Sequence, residues 1–254
     1  MQENRKLSKF VSMDKKIVII PTYNEIENIG RIIKAVLALE GGFNILVIDD
    51  GSPDGTAAAV KELMAVFPER IFIIERAGKL GLGTAYIAGF KWALANGYDY
   101  IFEMDADFSH APEDLPRLLS ACREGGADLA IGSRYCNGIS VVNWPIGRIL
   151  MSYCASIYVR TVLGFKVFDS TAGFLCYSRK VLETINLDAV KMKGYGFQIE
   201  MKYSASALGF KIAEVPVIFV NRKEGTSKMS GSIFGEAFWG VIGLRLRKIR
   251  PASK

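Results

Sequence analysis

The chain has 254 residues, half of them hydrophobic, and a formal net charge of +6. That length favours one large α/β domain over two small ones, and the apolar content suffices for a sizeable core. The modest positive excess suits anionic substrates or a phospholipid surface; nucleic acid is discounted, because no aromatic-basic RNA-binding signature occurs.

Residues 1–14 read as a polar N-terminal tail, and residues 15–231 as one folded domain. Lys16–Ile20 reads as a buried strand ended by Pro21, and Glu27–Leu39 has helical periodicity. Asn44–Ile48 is a second strand, Thr56–Phe67 a second helix and Ile71–Ile74 a third strand. Thr84–Ala95 is a third helix and Tyr100–Met104 a fourth strand. Strands alternating with helices predict βαβ units and a mainly parallel sheet with flanking helices. Beyond this the pattern is less regular: Asp128–Ser133 and Val215–Val220 read as strands, Arg148–Leu163 as a helix, and the glycine- and aromatic-rich remainder as loops shaping a cleft.

The C-terminal segment 232–254 holds Phe234, Phe238, Trp239, Val241, Ile242 and Leu244, then Arg245, Arg247, Lys248 and Arg250. Apolar residues ending in cations suit a helix in a membrane interface, and equally one packed on the core with a solvated basic end. No run of about 18 apolar residues predicts a transmembrane helix, and Ile17–Ile20 is too short for the core of a signal peptide. Cys122, Cys136, Cys154 and Cys176 form no CxxC pair, which argues against structural zinc or a disulfide framework.

Parallel sheets bind ligands at the carboxyl ends of their strands, and polar clusters follow three of the strands here. After the fourth come Asp105-Ala106-Asp107. Two carboxylates one residue apart repel unless a cation or protonation relieves them. Hard oxygen ligands suit Mg²⁺ or Mn²⁺, which commonly share their shell with substrate phosphates; a solvated loop with Asp107 as a helix cap is the plain alternative. Asp50, after the second strand, is placed to accept hydrogen bonds from a ribose or base, whereas Asp54 reads as a cap for the following helix. Arg134, Arg148, Arg222, Lys223 and Lys228 would suit phosphates if gathered in one cleft.

Other nucleotide motifs are excluded. Gly81-Leu82-Gly83 is followed by Tyr86 where a dinucleotide fingerprint needs a small residue, and no GxxxxGK[ST] loop occurs. His110 is the single histidine and no GxSxG elbow exists, so a serine-hydrolase triad is unsupported. His110 reads as a loop or ligand contact rather than a base.

Taken in order, Pro21-Thr22-Tyr23-Asn24-Glu25, Asp49-Asp50-Gly51-Ser52, Lys79-Leu80-Gly81-Leu82-Gly83-Thr84-Ala85, Asp105-Ala106-Asp107 and Gly132-Ser133-Arg134-Tyr135 resemble the family 2 glycosyltransferases. Asn143-Trp144-Pro145, Arg148, Ser170-Thr171-Ala172-Gly173-Phe174, Gly194-Tyr195-Gly196-Phe197-Gln198-Ile199-Glu200 and Arg222 to Lys228 extend the likeness to its polyprenol-phosphate (dolichol-phosphate) mannosyltransferases, over residues 15–232. The resemblance implies a GT-A catalytic domain with Rossmann-like topology. It implies transfer of mannose from GDP-mannose to a polyprenyl phosphate, with inversion, at the cytoplasmic face of a membrane and without a transmembrane helix. By the same resemblance Pro21, Tyr23, Glu25, Ile48 and Asp50 line the guanosine pocket, and Asp105, Ala106 and Asp107 hold the metal and donor diphosphate. Arg134, Arg222 and Lys228 grip phosphates, while Arg148 and Ser227 position the acceptor phosphate. A small membrane-anchoring subunit is a further implied partner. Ser109 departs from the glutamine, and Tyr153-Cys154 from the arginine, that many relatives carry. A UDP-sugar-dependent polyprenyl-phosphate glycosyltransferase, for instance a glucosyltransferase, and a non-catalytic nucleotide-sugar-binding subunit are the alternatives.

Overall fold

A computed structural model describes residues 14–192, 194–221 and 231–252. Its centre is a seven-stranded sheet of β1 (Lys16–Thr22), β2 (Phe43–Asp49), β3 (Ile71–Glu75), β4 (Tyr100–Glu103), β5 (Leu129–Ser133), β7 (Leu175–Ser178) and β8 (Ile212–Pro216), in the order β3-β2-β1-β4-β7-β5-β8. Only β7 runs antiparallel to its neighbours. A small parallel pair joins β6 (Val141–Val142) to β9 (Phe219–Val220).

Both faces of the sheet are covered, which is why its inner strands are apolar without alternation. Successive residues of β1 and β2 feed opposite layers. Ile17, Ile19, Leu46 and Ile48 pack with α3 (Leu82–Ala95), α5 (Ile146–Leu163), α6 (Arg179–Thr184), α7 (Gly194–Ala207) and α8 (Gly231–Leu246). Val18, Ile20, Ile45 and Val47 pack with α1 (Ile26–Leu37), α2 (Thr56–Val66) and α4 (Leu115–Arg123). The expected α/β architecture with a mainly parallel sheet is what the structure has.

Several details differ from expectation. β1 continues through Pro21 to Thr22, paired with Ile48 and Asp49. Asp50 donates to the Thr22 carbonyl, and Met104 to that of Ile19, so even-numbered residues bond β2 and odd-numbered ones bond β4. The β4 side has ended by Pro21; the missing N–H therefore removes no ladder bond, and the proline is tolerated. The segment expected as one strand over Val215–Val220 divides into β8 and β9 in separate sheets. Val217 still donates to Ser133, after which Phe219 donates to Ser140 and the chain changes partner. Helices α6 and α7 and strand β7 fall where loops were expected. In α7 the buried Phe197, Met201 and Ala205 recur every four residues, so packing overrides its glycines and aromatics.

α8 is bound into the core by Val241 and Leu244. The Tyr158 hydroxyl donates to the Phe238 carbonyl at 2.9 Å, and the two rings stack 4.7 Å apart. Arg247 pairs with the buried Glu200. Trp239 is 70% and Leu246 83% exposed. Among the described residues no helix is long and apolar enough to cross a membrane.

Candidate active site

The carboxyl ends of β1, β2, β4 and β5 open on one side of the sheet, as the parallel topology requires. At the β1–β2 end the turn after β2 is tied by Asp49, whose oxygens accept from the Thr22 hydroxyl at 2.9 Å and the Ser52 amide at 2.9 Å. Ser52 accepts in turn from the Asn24 amide, and Asn24 takes a left-handed φ of 59° that asparagine tolerates. This brings Pro21, Tyr23 and Glu25 beside the β2 turn. Asp50 is buried and its carboxylate is paired with Arg76, whose Nε donates to Oδ1 at 2.6 Å. Ile48 lies wholly in the core, so only its backbone faces the β2 end. The ammonium of Lys79 sits 5.2 Å over the Tyr23 ring. Asp54 serves both helix starts: it accepts from the Thr56 amide at the head of α2 and from the Ile26 amide at the head of α1. Burial raises the pKa of its carboxyl, but hydrogen bonds from the Thr56 hydroxyl and from the Thr56 and Ile26 amides outweigh this and lower it.

Asp105 and Asp107 follow β4 directly and are half-buried, with the buried Ala106 between them. Asp107 accepts from the Ser109 amide at 3.0 Å. Phe108 holds a left-handed φ of 57°, a conformation costly for a bulky residue and supported here by the Val220 amide donating to the Ser109 carbonyl. The two carboxylates supply hard oxygens for a divalent cation, and their half-buried setting leaves room for a ligand's phosphate oxygens in the same shell. No group of three or more metal-ligating side chains occurs among the described residues.

Asp105 and Asp107 share a cavity of about 510 Å³ with His110, Arg134, Trp144 and Arg148. Arg134 follows β5 and is held by the buried Asp169. Arg148, in the first turn of α5, lies 4.0 Å over the Trp144 ring and donates to Asn221. The rest of the wall is mostly apolar: Met151, Ala155, Tyr158 and Val159 of α5, Ile199 of α7, and Phe238 and Val241 of α8. Of the phosphate-binding residues expected from sequence, the structure therefore brings Arg134 and Arg148 to the two carboxylates. Arg222, Ser227 and Lys228, with Lys223, lie outside the described residues.

Burial tunes the ionisable groups around this cavity. His110 is sandwiched by Phe174 and Phe219, each 4.9 Å away, and burial, aided by the Arg134 charge, lowers its pKa to about 4. With so low a pKa the imidazole is a weak proton acceptor, which suits a contact better than a base. Behind the wall, burial raises Glu103 to about 7 and lowers Lys202 to about 8. Lys202 is satisfied by the carbonyls of Ser170, Ala172 and Gln198. Burial pushes Asp169 up, but the charge and hydrogen bonds of Arg134 outweigh it and keep the carboxyl below its usual range. Asp169, Glu103 and Lys202 were not legible as site residues. No local spacing marks them, and apart from the Gln198 carbonyl beneath Lys202 their partners named here lie 30 to 95 positions away.

A family model for glycosyl transferase family 2 matches residues 17–185. The chain is 50% identical over 241 residues to a polyprenol monophosphomannose synthase of Mycolicibacterium smegmatis, covering 93% of this chain and 90% of that one. It is 48% identical to an undecaprenyl-phosphate mannosyltransferase of Micrococcus luteus, covering 91% of this chain and 98% of that one. Among solved structures, glucosyl-3-phosphoglycerate synthase of Mycobacterium tuberculosis superposes with a TM-score of 0.67 at 19% identity, over 91% of this chain and 80% of the other. That likeness concerns the fold. With the family model spanning most of the chain and the relatives nearly all of it, this protein belongs to glycosyl transferase family 2.

Proposed function

We propose that this protein transfers mannose from GDP-mannose to a polyprenyl phosphate, with a divalent metal and inversion at the anomeric carbon, giving a β-linked mannosyl-phospho-polyprenol. The observation that carries the reading is the double character of the cavity. Two carboxylates and two arginines share it with an apolar wall built by α5, α7 and α8. A phosphate joined to a hydrocarbon matches such a lining, and the relatives named above act on polyprenyl phosphates by their names.

Asp105 and Asp107 would hold Mg²⁺ or Mn²⁺ and, through it, the donor diphosphate; the fold neighbour was crystallised with Mn²⁺ and UDP-glucose. When bound, the metal supplies charge stabilisation for the leaving diphosphate. Arg134 adds a fixed cation in the same cavity, preorganised for charge that develops during transfer. Arg148 would take the acceptor phosphate, with Ser227, Arg222 and Lys228 joining from outside the described residues. An acceptor phosphate is already ionised at neutral pH, so it needs no strong general base, and the weakly basic His110 fits that requirement. Pro21, Tyr23, Glu25, the backbone at Ile48 and Asp50 would frame the nucleoside.

The protein would work at the cytoplasmic membrane face. Ile146, Leu150 and Met151 of α5 and Phe238, Trp239 and Leu246 of α8 are exposed, beside the exposed cations Arg245, Lys248 and Arg250. An apolar face flanked by cations suits an anionic bilayer.

The test is transfer to a short polyprenyl phosphate in detergent, with Mn²⁺ or Mg²⁺ and GDP-mannose, UDP-glucose or UDP-N-acetylglucosamine in parallel. Labelled lipid from GDP-mannose, lost on chelation, is the expected result. Label from a UDP-sugar alone would replace the donor, and no labelled lipid from any donor would overturn the reading.

A further inference from the structure

Among the described residues, seven buried side-chain oxygen and nitrogen atoms lack a hydrogen-bond partner. Three of them belong to residues of the cavity wall: Gln198 Oε1, His110 Nδ1 and Trp144 Nε1. A buried polar atom left unpaired is costly, and native proteins seldom keep one unless something else satisfies it. Three around one cavity point to a ligand with hydroxyl groups.

Gln198 is the most informative of the three. It is 2% exposed, stands on α7 and lines the cavity. Its Nε2 donates to Glu103, a fully buried carboxylate two residues before Asp105. Nε2 is thereby given to Glu103 and faces inward, which leaves Oε1 as the unpaired end of the amide. Oε1 is thereby committed as an acceptor and requires an O–H or N–H from the ligand. Phosphate oxygens at the Asp105–Asp107 side and at Arg134 and Arg148 cannot supply one. A hexose carried between those two phosphate-binding regions can.

We infer that Gln198, its amide oriented by Glu103, accepts a hydrogen bond from a hydroxyl of the donor sugar and helps determine which sugar is transferred. Glu103 is the positioning residue, and Gln198 contacts the substrate. The inference rests on the proposed glycosyl transfer and names the residue that reads the sugar.

The experiment compares GDP with GDP-mannose, by calorimetry and by transfer kinetics, in the wild type, Gln198→Met and Glu103→Gln, with thermal melts of each. Methionine keeps the length and removes the acceptor. Gln198→Met should bind GDP within about twofold of the wild type, yet lose roughly 10- to 100-fold in kcat/KM with GDP-mannose, the cost of one hydrogen bond. Glu103→Gln keeps the shape but lets the facing amides choose either orientation. It should show a smaller loss of the same kind, and it stands in if Gln198→Met melts early. Unchanged kinetics with GDP-mannose in a folded Gln198→Met protein would overturn the inference. So would an equal loss for GDP and GDP-mannose, which would mean a structural role. If the wild type uses UDP-glucose instead, the mannose reading fails by itself; the same variants, compared on UDP and UDP-glucose, then decide for or against Gln198 by the same criteria.

Discussion

Asp169 holds Arg134 by three hydrogen bonds. Its Oδ2 accepts from the Arg134 backbone amide at 2.9 Å and from Nε at 2.7 Å, and its Oδ1 accepts from Nη2 at 2.6 Å. Asp169 is fully buried and Arg134 nearly so. The backbone that carries it is itself anchored, since the Asp169 and Phe168 amides both donate to Glu214. Nη2 also reaches the Thr171 hydroxyl at 2.9 Å. The guanidinium therefore enters the cavity with its orientation settled before any ligand arrives, which is what electrostatic stabilisation of a short-lived charge requires. Asp169→Asn leaves a buried cation with a neutral partner, and removing one member of such a pair costs about 3–5 kcal/mol. Denaturant unfolding should show that loss. In Arg134→Met with Asp169→Asn the combined loss should fall well short of the sum of the two single losses, because the residues act as a unit.

Asp107→Ala should leave folding nearly intact and abolish transfer. The side chain is half-buried and lies at a loop after β4 rather than in the core, so the thermal midpoint should move little. Transfer should drop by at least the roughly 10²- to 10³-fold typical of losing one preorganised electrostatic contact. Wild-type transfer by a variant with a normal melt would sink the metal assignment.

The first half of the fold was legible because its strands are continuous apolar runs and its helices periodic. Ile17 to Ile20 and Ile45 to Ile48 are wholly buried, and such segments announce themselves. Asp105 and Asp107 were legible for a different reason: chemistry concentrated in three consecutive residues after a strand. What was hidden depends on distance along the chain. β7 lies between β4 and β5 through pairings that span about 45 to 80 residues, and nothing local in Leu175–Ser178 states that. Gln198 was visible only as part of a family block. Its role as an oriented acceptor required Glu103, 95 residues away, to be seen beneath it.

His110 gives a pH-dependent prediction. Burial, followed by the Arg134 charge, lowers its pKa from 6.5 to about 4. The folded protein then binds fewer protons than the unfolded chain between those values. Its contribution is present above pH 6.5 and is lost as pH falls towards 4. His110→Phe, which preserves an aromatic ring between Phe174 and Phe219, lacks that loss. The variant's stability relative to the wild type should rise as pH falls through this window, by up to about 3 kcal/mol at 1.36 kcal/mol per pH unit. Glu103 is present in both proteins, so its own titration cancels in the difference. A constant difference across the window would contradict the assignment of His110 as buried and neutral.

Gly132 links the core to the cavity. A Cβ there would lie 2.7 Å from Phe174 Cδ1 and 3.3 Å from both the Phe174 carbonyl oxygen and Val217 Cγ1. Phe174 is fully buried and stacks on His110, so its ring can yield only by displacing the cavity wall. Gly132→Ala should destabilise the protein by about 1–3 kcal/mol, the range for overpacking a filled core. It should also lower transfer more than another substitution of equal stability cost placed far from the cavity, measured at a temperature where both variants are folded.

The exposed face of α5 and α8 predicts a separation of membrane binding from chemistry. Ile146, Leu150 and Cys154 recur every four residues along the outer side of α5, and Met151 and Phe238 are both exposed and part of the cavity lining. The apolar surface therefore runs into the cavity, and a lipid phosphate could enter without its chain leaving the bilayer. Trp239 is the most exposed of the aromatic residues on this face and touches only Phe238 among the described rings. Trp239→Glu with Leu150→Glu places two anions against an anionic membrane and removes two apolar contacts. Co-sedimentation with phosphatidylglycerol-containing vesicles should weaken by at least about tenfold, since each buried large side chain is worth roughly 1.5–3 kcal/mol. Transfer from GDP-mannose to a long-chain acceptor in those vesicles should fall in parallel. Transfer to a short polyprenyl phosphate in detergent should remain within a few-fold of the wild type, because neither side chain belongs to the carboxylate and arginine cluster. Equal losses in vesicles and detergent would instead place this face within the site itself, and unchanged vesicle binding would remove it from membrane docking.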